Sequence, residues 1–351
     1  MLELDRNHAM TNTPPIDGDG SLNPAHAVYL LVSMTKRCNM RCPGCYLAQQ
    51  EEGFFKNQDI QLDAAKSIVN FYRQAGIKMA VPNAEGEVLL HEGYSELVAH
   101  INSCGFRNKP WLVTNGILLT KHADFVAKHI GEVLVSVDGA TREAYTNFRG
   151  GNEALFNKVR RGIEAIVAAR RAGIGHPQIF INSVISRDRL QDIPELIRFT
   201  ETIGADTIKF SNFHPTGDSA QQRSLYLGDK EVEAMLKEIV RRHDYKVNIM
   251  LPQLFGASRP PYSCRMLASV VIGSNGDFSP CCRIIPEAKW GNFFSAPDKH
   301  NNAQLLMFRR AVTGAKRAEE LPGICRECAH LSPRRLAFAR DRSQWFLSAV
   351  S

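Results

Sequence analysis

From Val28 onward, short runs of aliphatic and β-branched residues alternate with amphipathic stretches of helical length. Such alternation marks repeated βα units around a parallel sheet. The strands are expected at Tyr29–Met34, Ile77–Val81, Trp111–Val113, Val133–Val137, Ile179–Val184 and Thr207–Phe210. The helices are expected over Asp63–Ala75, Tyr94–Cys104, Lys121–His129, Leu155–Ala172, Ile193–Ile203 and Asp229–Arg242. Gly76 and Gly204 stand where a helix ends in the left-handed conformation that glycine adopts at little cost.

The pattern changes near residue 245. Prolines gather at Pro252, Pro260 and Pro261, and then Ala268–Ile272 and Phe278–Pro280 flank Ser274-Asn275-Gly276-Asp277 as the arms of a small hairpin would. A helix around Ala303–Val312, a Cys-x-x-Cys at Cys325 and Cys328, and a final helix from Pro333 complete the reading. The chain is thus expected to divide into a leader over 1–27, a main α/β domain over 28–245 and a compact module over 246–351. The leader has acidic residues, prolines and glycines but no apolar core of a signal peptide, which points to the cytoplasm.

Composition adds few constraints. Of the 351 residues, 44% are apolar and 23% charged, as in soluble globular proteins, and no apolar run approaches the ~20 residues of a membrane span. The net charge of +7 raises the question of nucleic acid, but the basic residues are scattered. Their densest group, Arg334, Arg335, Arg340 and Arg342, falls on the expected C-terminal helix, where a solvated face or an anionic ligand accounts for it equally well. The nine cysteines are an odd number in a chain without an export signal, so metal binding or catalysis is favoured over disulfides.

Three of these thiols, Cys38, Cys42 and Cys45, lie within eight residues directly after the first expected strand, where a βα loop opens onto the active face of a parallel barrel. Three thiolates suit a soft-metal site, and an iron–sulfur cube held by three cysteines keeps one iron open for a ligand. A zinc site short of its fourth ligand and unrelated buried cysteines are the alternatives. The Cys-x3-Cys-x2-Cys spacing resembles the signature of the radical S-adenosylmethionine (SAM) superfamily. That resemblance implies a 4Fe-4S cluster whose free iron is chelated by SAM, and whose one-electron reduction of SAM yields a 5′-deoxyadenosyl radical. It also implies the fold, a partial (β/α)6 TIM-like barrel.

The resemblance continues over roughly residues 29–215. Glu85-Gly86-Glu87-Val88 is similar to the family's Gly-Gly-Glu-Pro motif, with Glu85 for the first glycine and Val88 for the proline, and implies that Glu87 receives the SAM ammonium. Thr114-Asn115-Gly116 and Ser136-Val137-Asp138-Gly139 match family patterns at the ends of the third and fourth strands. They imply Asn115, Ser136 and Asp138, with Asn182 on the fifth strand, as cofactor contacts, and Arg149 as a two-pronged partner of the SAM carboxylate. Each of these polar groups falls on or just beyond an expected strand, most at its C-terminal end, where barrel active sites are built. Gly44 departs from the family, many of whose members carry an aromatic ring there, so Tyr46 or a backbone contact is the expected substitute.

The later cysteines, Cys264, Cys281, Cys282, Cys325 and Cys328, offer four well-spaced thiolates, and geometry alone admits zinc as readily as iron and sulfur. Their spacing resembles the SPASM or twitch extension of the radical SAM superfamily, which implies a C-terminal module holding an auxiliary 4Fe-4S cluster. A full SPASM domain needs three further cysteines after Cys328, so one auxiliary cluster is expected, ligated by Cys264, Cys281, Cys325 and Cys328. Cys281 is preferred to Cys282 on its Gly-x4-Cys spacing, which leaves Cys282 as a candidate hydrogen-atom donor or a packing thiol. Cys104, near the end of an amphipathic helix, reads as a core residue. His214, Asp218, Arg223 and His243 are further polar residues for the barrel mouth, or simply solvated ones.

These readings converge on an oxidoreductase that abstracts hydrogen from a substrate carbon and passes the remaining electron to the auxiliary cluster. Single-auxiliary-cluster relatives suggest dehydrogenation of a sugar or aminocyclitol in natural-product biosynthesis. Epimerisation with Cys282 returning hydrogen, and peptide crosslinking or maturation, are the alternatives on the same scaffold. A barrel that begins near residue 28 leaves no room ahead of it for a peptide-recognition module, which weighs against the peptide reading. The partners expected are a small-molecule or peptide substrate and a flavodoxin or ferredoxin as electron donor, with no membrane and no nucleic acid. A non-catalytic zinc protein that binds nucleic acid is the reading from a different class.

Overall fold

The computed structural model describes residues 16–45, 47, 54–214, 223–226, 228–241, 245–256, 262, 264, 266–326 and 328, with the backbone of 334–338 and 345–349. Strand β1 (Leu30–Ser33), helix α1 (Leu62–Gln74) and strand β2 (Ala80–Asn83) form the first βα unit. There follow α2 (Tyr94–Ser103), β3 (Trp111–Thr114), α3 (Leu119–His129) and β4 (Glu132–Ser136). Next come α4 (Arg142–Arg149), α5 (Glu153–Arg171), β5 (Gln178–Ile185), α6 (Ile193–Ile203), β6 (Thr207–Asn212), α7 (Lys230–Arg241) and β7 (Asn248–Met250). The later part holds β8 (Val270–Ile272), β9 (Phe278–Ser279), α8 (Ala303–Thr313), a short helical turn Gly323–Arg326, β10 (Arg334–Phe338) and β11 (Trp345–Ala349).

Two sheets carry the fold. One has the order β2-β1-β8-β9 and the other β11-β10-β7-β6-β5-β4-β3. All pairings from β3 through β7 are parallel and in chain order, and β1 pairs in parallel with β2 on one side and with the distant β8 on the other. β2 and β3 are neighbours without a ladder between them among the described residues, so the two sheets meet there. Parallel strands require crossovers, and the helices between them supply these on one face.

The alternation of side chains along each strand shows which face is which. Leu30 and Val32 on β1, Val133 and Val135 on β4, Ile179 and Ile181 on β5, and Ile208 and Phe210 on β6 all belong to the main core packed under the helices. Their neighbours in sequence, Leu31, Ser136, Asn182 and Lys209, line a central cavity on the opposite face. A curved parallel sheet with helices outside and a cavity inside is the expected partial barrel.

Helix ends follow the sequence signals closely. Gly204 adopts φ +81° after α6, and its N–H reaches the Thr200 and Glu201 carbonyls, which closes the helix as the glycine predicts. Four features differ from expectation. β2 lies at Ala80–Asn83 and not Ile77–Val81, because Pro82, a strand breaker in sequence terms, is tolerated on a strand at the edge of its sheet. Helix α4 is only eight residues long and buries only Tyr145, too short a stretch for periodicity to announce. Strand β7 is three residues long, too short to stand out. The helix expected from Pro333 is absent: Arg334–Phe338 and Trp345–Ala349 form antiparallel strands, β10 pairing with β7 at Ala337–Met250 and Phe338–Ile249. A vacant sheet edge overrides the helical preference of Arg, Leu and Ala. Arg340 and Arg342 of the basic group lie outside the described residues.

Candidate active site

The loop after β1 is pinned before its first cysteine. Thr35 Oγ1 donates to Asp59 Oδ1 at 2.5 Å, and Arg37 grips the same carboxylate through Nε (2.9 Å) and Nη2 (2.5 Å) while Nη2 also reaches the Leu90 carbonyl at 2.8 Å. Beyond that anchor the chain curls: Arg41 Nη1 donates to the Cys38 and Met40 carbonyls, each at 2.8 Å, and Cys45 N donates to the Cys42 carbonyl at 3.1 Å. Cys38, Cys42 and Cys45 are half-buried and all line the central cavity, whose volume is about 660 Å³. Burial pushes the Cys38 thiol up to about 11, with Glu87 and the other two thiols adding to the effect. Burial also raises Cys42, against the pull of Arg149, whose Nη1 stands 3.8 Å from its Sγ.

The loop after β2 is stapled onto this one. Glu85 N and Gly86 N donate to the Thr35 carbonyl and Glu87 N to the Arg37 carbonyl. A Cβ at position 86 would come within 2.0 Å of the Arg37 oxygen, so only glycine allows the approach. Glu87 is buried, and its carboxylate accepts from Thr114 Oγ1 (2.8 Å), Asn115 N (2.7 Å) and Leu89 N (3.3 Å). It thereby bridges β2 to β3 across the seam that has no ladder. Burial raises its pKa despite those three donors, the signature of an anion that lacks a full counter-charge. A bound ammonium would supply one. Asn115 is held in turn, its Nδ2 donating to Asn39 Oδ1 at 2.7 Å.

Ser136, Asp138, Arg149 and Asn182 line the same cavity. Ser136 and Asn182 face each other in register on β4 and β5, and Asn182 Oδ1 accepts from Ser211 at 3.3 Å. Asp138 is fully buried and commits its carboxylate to Val184 N (2.5 Å) and to Arg149 Nε. Burial opposes the Arg149 charge, but Asp138 and Cys42 outweigh it and hold the guanidinium protonated. Asp138 is thus the counter-ion that fixes Arg149 against the cysteine loop. Gly44 also lines the cavity, and the space where its Cβ would stand is 3.3 Å from the Phe213 ring. Tyr46, Asp218 and His243 lie outside the described residues. Arg223 stacks on Phe213 at 4.8 Å and pairs with Asp188 at 3.2 Å, and His214 packs 5.9 Å from Phe255.

All five later cysteines converge. Cys264, Cys281, Cys282, Cys325 and Cys328 line one small cavity between the β8–β9 segment, α8 and the Gly323–Arg326 turn. Burial, and then the neighbouring thiols, push Cys264, Cys281, Cys282 and Cys325 each up to about 12. Among the described residues, no three Cys, His, Asp or Glu side chains are drawn close enough to hold a single metal ion; the thiols surround a space. Cys264 and Cys282 line the central cavity too, whereas Cys281, Cys325 and Cys328 line only the smaller one. Cys104 stands apart, its Sγ 3.6 Å from His100 Nε2 at the end of α2.

Sequence reasoning missed two charged residues here. Lys209 sits mid-strand on β6 in register with Asn182 and lines the cavity; a lysine flanked by Ile208 and Phe210 in a parallel strand was the available signal. Glu85, which replaces a glycine of the motif, accepts from Ser33 Oγ (2.8 Å) and from both the N–H and Oγ of Ser274 (3.2 Å each), with Lys36 Nζ at 3.6 Å. Gln58 Nε2 donates to Ser274 Oγ at 3.1 Å and completes the link from the first cysteine loop to the hairpin that leads to Cys281.

No family model matches the chain. It is 23% identical over 259 residues to the tungsten-containing aldehyde ferredoxin oxidoreductase cofactor-modifying protein of Pyrococcus furiosus, covering 73% of this chain and 71% of that one. It is 29% identical over 214 residues to a GTP 3′,8-cyclase of Caulobacter vibrioides (60% and 57%) and 22% identical over 286 residues to the subtilosin biosynthesis protein AlbA of Bacillus subtilis (77% and 58%). The chain therefore spans less than two thirds of the latter two. The chain is a homologue of the radical SAM enzymes. Solved radical SAM structures share its fold. Streptococcus suis SuiB bound to precursor peptide SuiA superposes with TM-score 0.64 at 16% identity, over 86% of this chain and 71% of that one. Native anSMEcpe with bound AdoMet and Cp18Cys peptide gives 0.59 at 16%, over 87% and 88%. No helix among the described residues is long and apolar enough to cross a membrane.

Proposed function

We propose that this chain is a radical SAM oxidoreductase acting on a peptide. Cys38, Cys42 and Cys45 would hold the SAM-binding 4Fe-4S cluster, and Cys264, Cys281, Cys325 and Cys328 an auxiliary one. The single observation that carries the reading is that thiols of both groups line one cavity. When bound, the first cluster supplies the electron that splits SAM to a hydrogen-abstracting nucleoside radical; the protein supplies place and field. Glu87 offers a buried carboxylate to the SAM ammonium, and Ser136, Asn115 and Asn182 offer polar contacts. Arg149, held by Asp138, keeps a positive charge against the cysteine loop, where an anionic carboxylate would gain most. A flavodoxin or ferredoxin would deliver the electron.

The sugar or aminocyclitol expectation yields to the peptide alternative. AlbA is a bacteriocin biosynthesis protein, and SuiB and anSMEcpe hold peptides in the matched structures. A 660 Å³ cavity is also roomy enough for a side chain beside a nucleoside. Cys282 lines that cavity, which keeps hydrogen return by its thiol, and hence epimerisation, as a second outcome.

The test is anaerobic reconstitution. Brown protein with about eight irons per chain, which forms 5′-deoxyadenosine from SAM under dithionite, is expected. Colourless protein holding stoichiometric zinc would overturn the reading.

A further inference from the structure

The inward-facing residues of the two sheets differ in kind according to strand. On β8, β1 and β3 the cavity is lined by Val271, Leu31, Trp111 and Val113, with Ser33 and Thr114 only at the C-terminal ends of β1 and β3; on β4, β5 and β6 it is lined by Ser136, Asn182 and Lys209, with Val184 beside them. Tyr29, just before β1, meets Trp111 edge-on at 4.5 Å. Tyr29, Leu31, Met79, Val81 and Val271 form a small apolar cluster separate from the main core, with Trp111, Met266 and Cys282 packed against it. Val113 keeps 40% of its surface exposed although it belongs to a strand between β2 and β4, and what it is exposed to is the cavity. An apolar side chain left facing an open chamber is stabilised when an apolar group covers it, at about 25 cal/mol per Å² buried.

We infer that the β8–β1–β3 wall seats an uncharged, apolar side chain of the substrate, aliphatic or aromatic, and that Trp111 and Val113 determine this specificity. The inference rests on the proposed radical SAM reading for its chemistry, while the wall itself is argued from geometry. A lysine or glutamate side chain placed there would lose water and find no counter-charge on β8, β1 or β3. Cys282 packs on the same wall, so the seated side chain lies in the chamber shared by both thiol groups. The hydrogen atom taken from its carbon passes to the nucleoside fragment of SAM. With one electron from the reductant, this yields methionine and 5′-deoxyadenosine and leaves the side chain one hydrogen atom short.

Two readouts test this. The first is binding to unreduced holoenzyme with SAM present, using the N-acetyl amides of leucine, phenylalanine, lysine and glutamate, followed by saturation-transfer NMR. The apolar probes should bind at least about tenfold more tightly than the charged ones. Val113→Lys should abolish that preference, and the nearly isosteric Val113→Thr should reduce it several-fold even if the lysine variant fails to fold. Equal binding of charged probes, no binding of apolar ones, or a preference unchanged in the variants overturns the inference. The second readout adds dithionite and side-chain-deuterated probes: deuterium in 5′-deoxyadenosine should come from leucine or phenylalanine, and transfer from lysine or glutamate instead overturns the inference. If wild-type holoenzyme forms no 5′-deoxyadenosine at all, the radical SAM reading fails, and the binding experiment still judges the wall.

Discussion

The two groups of cysteines solve opposite problems. The first places three thiols on one loop, half-buried against an open cavity, with the Arg149 guanidinium 3.8 Å from one of them. The second gathers five from three separate stretches of chain into a small cavity where burial drives four of them up to about 12. A loop-borne site can leave a corner for an incoming molecule and can tune it with a nearby charge. A site stitched from distant segments closes on itself and ties the fold together. Openness suits a cofactor that turns over, and closure suits a permanent electron store.

Breaking this contrast ranks the expected effects. Cys42→Ala should remove the open site outright, with 5′-deoxyadenosine formation falling at least about a thousandfold; retained formation would show that the loop is not the cofactor site. Cys264→Ala should cost the closed site, about half of the iron, while SAM still binds; loss of all iron would mean that the two sites do not load separately. Cys282→Ala sharpens the same point: although Cys282 lines the central cavity beside Cys264, its loss should leave the iron content intact. Glu85→Ala should destabilise the protein by about 3 kcal/mol, since it leaves Lys36 buried without its partner. Denaturant unfolding of the apo-protein checks this value, and a change below ~0.5 kcal/mol would show the link to Ser274 to be idle. A smaller loss is expected from Arg149→Lys, which keeps the charge but loses the fork. SAM affinity should weaken by about tenfold by equilibrium binding, and an unchanged value would move the carboxylate contact elsewhere.

Most of the barrel was legible because its signals are local. β1 and β3–β6, and helices such as α6 with its Gly204 stop, follow from runs and periodicity in adjacent residues. What escaped depends on distant partners. Nothing near Ala337 announces β7 as the mate of β10, and nothing in Val270–Ile272 announces that it lies beside β1. The candidate site divides in the same way. Cys38, Cys42, Cys45 and Glu87 stand out by spacing, but Glu85 reads as a flaw in a motif until Ser274, 189 residues later, is seen to receive it. Lys209 was signalled only by its charge between Ile208 and Phe210, and that it faces a cavity follows only from the curvature of the sheet.

The pairing of β1 with β8 carries a consequence for biogenesis. Strand β1 keeps one edge unsatisfied until a segment some 240 residues later is made, since Leu30 pairs with Val270. A fragment stopped near residue 245 would therefore present Leu30–Ser33 as an uncovered rim, prone to recruit another chain. On the proposed reading, a cluster on Cys38, Cys42 and Cys45 would be loaded only after β8 has been delivered to β1.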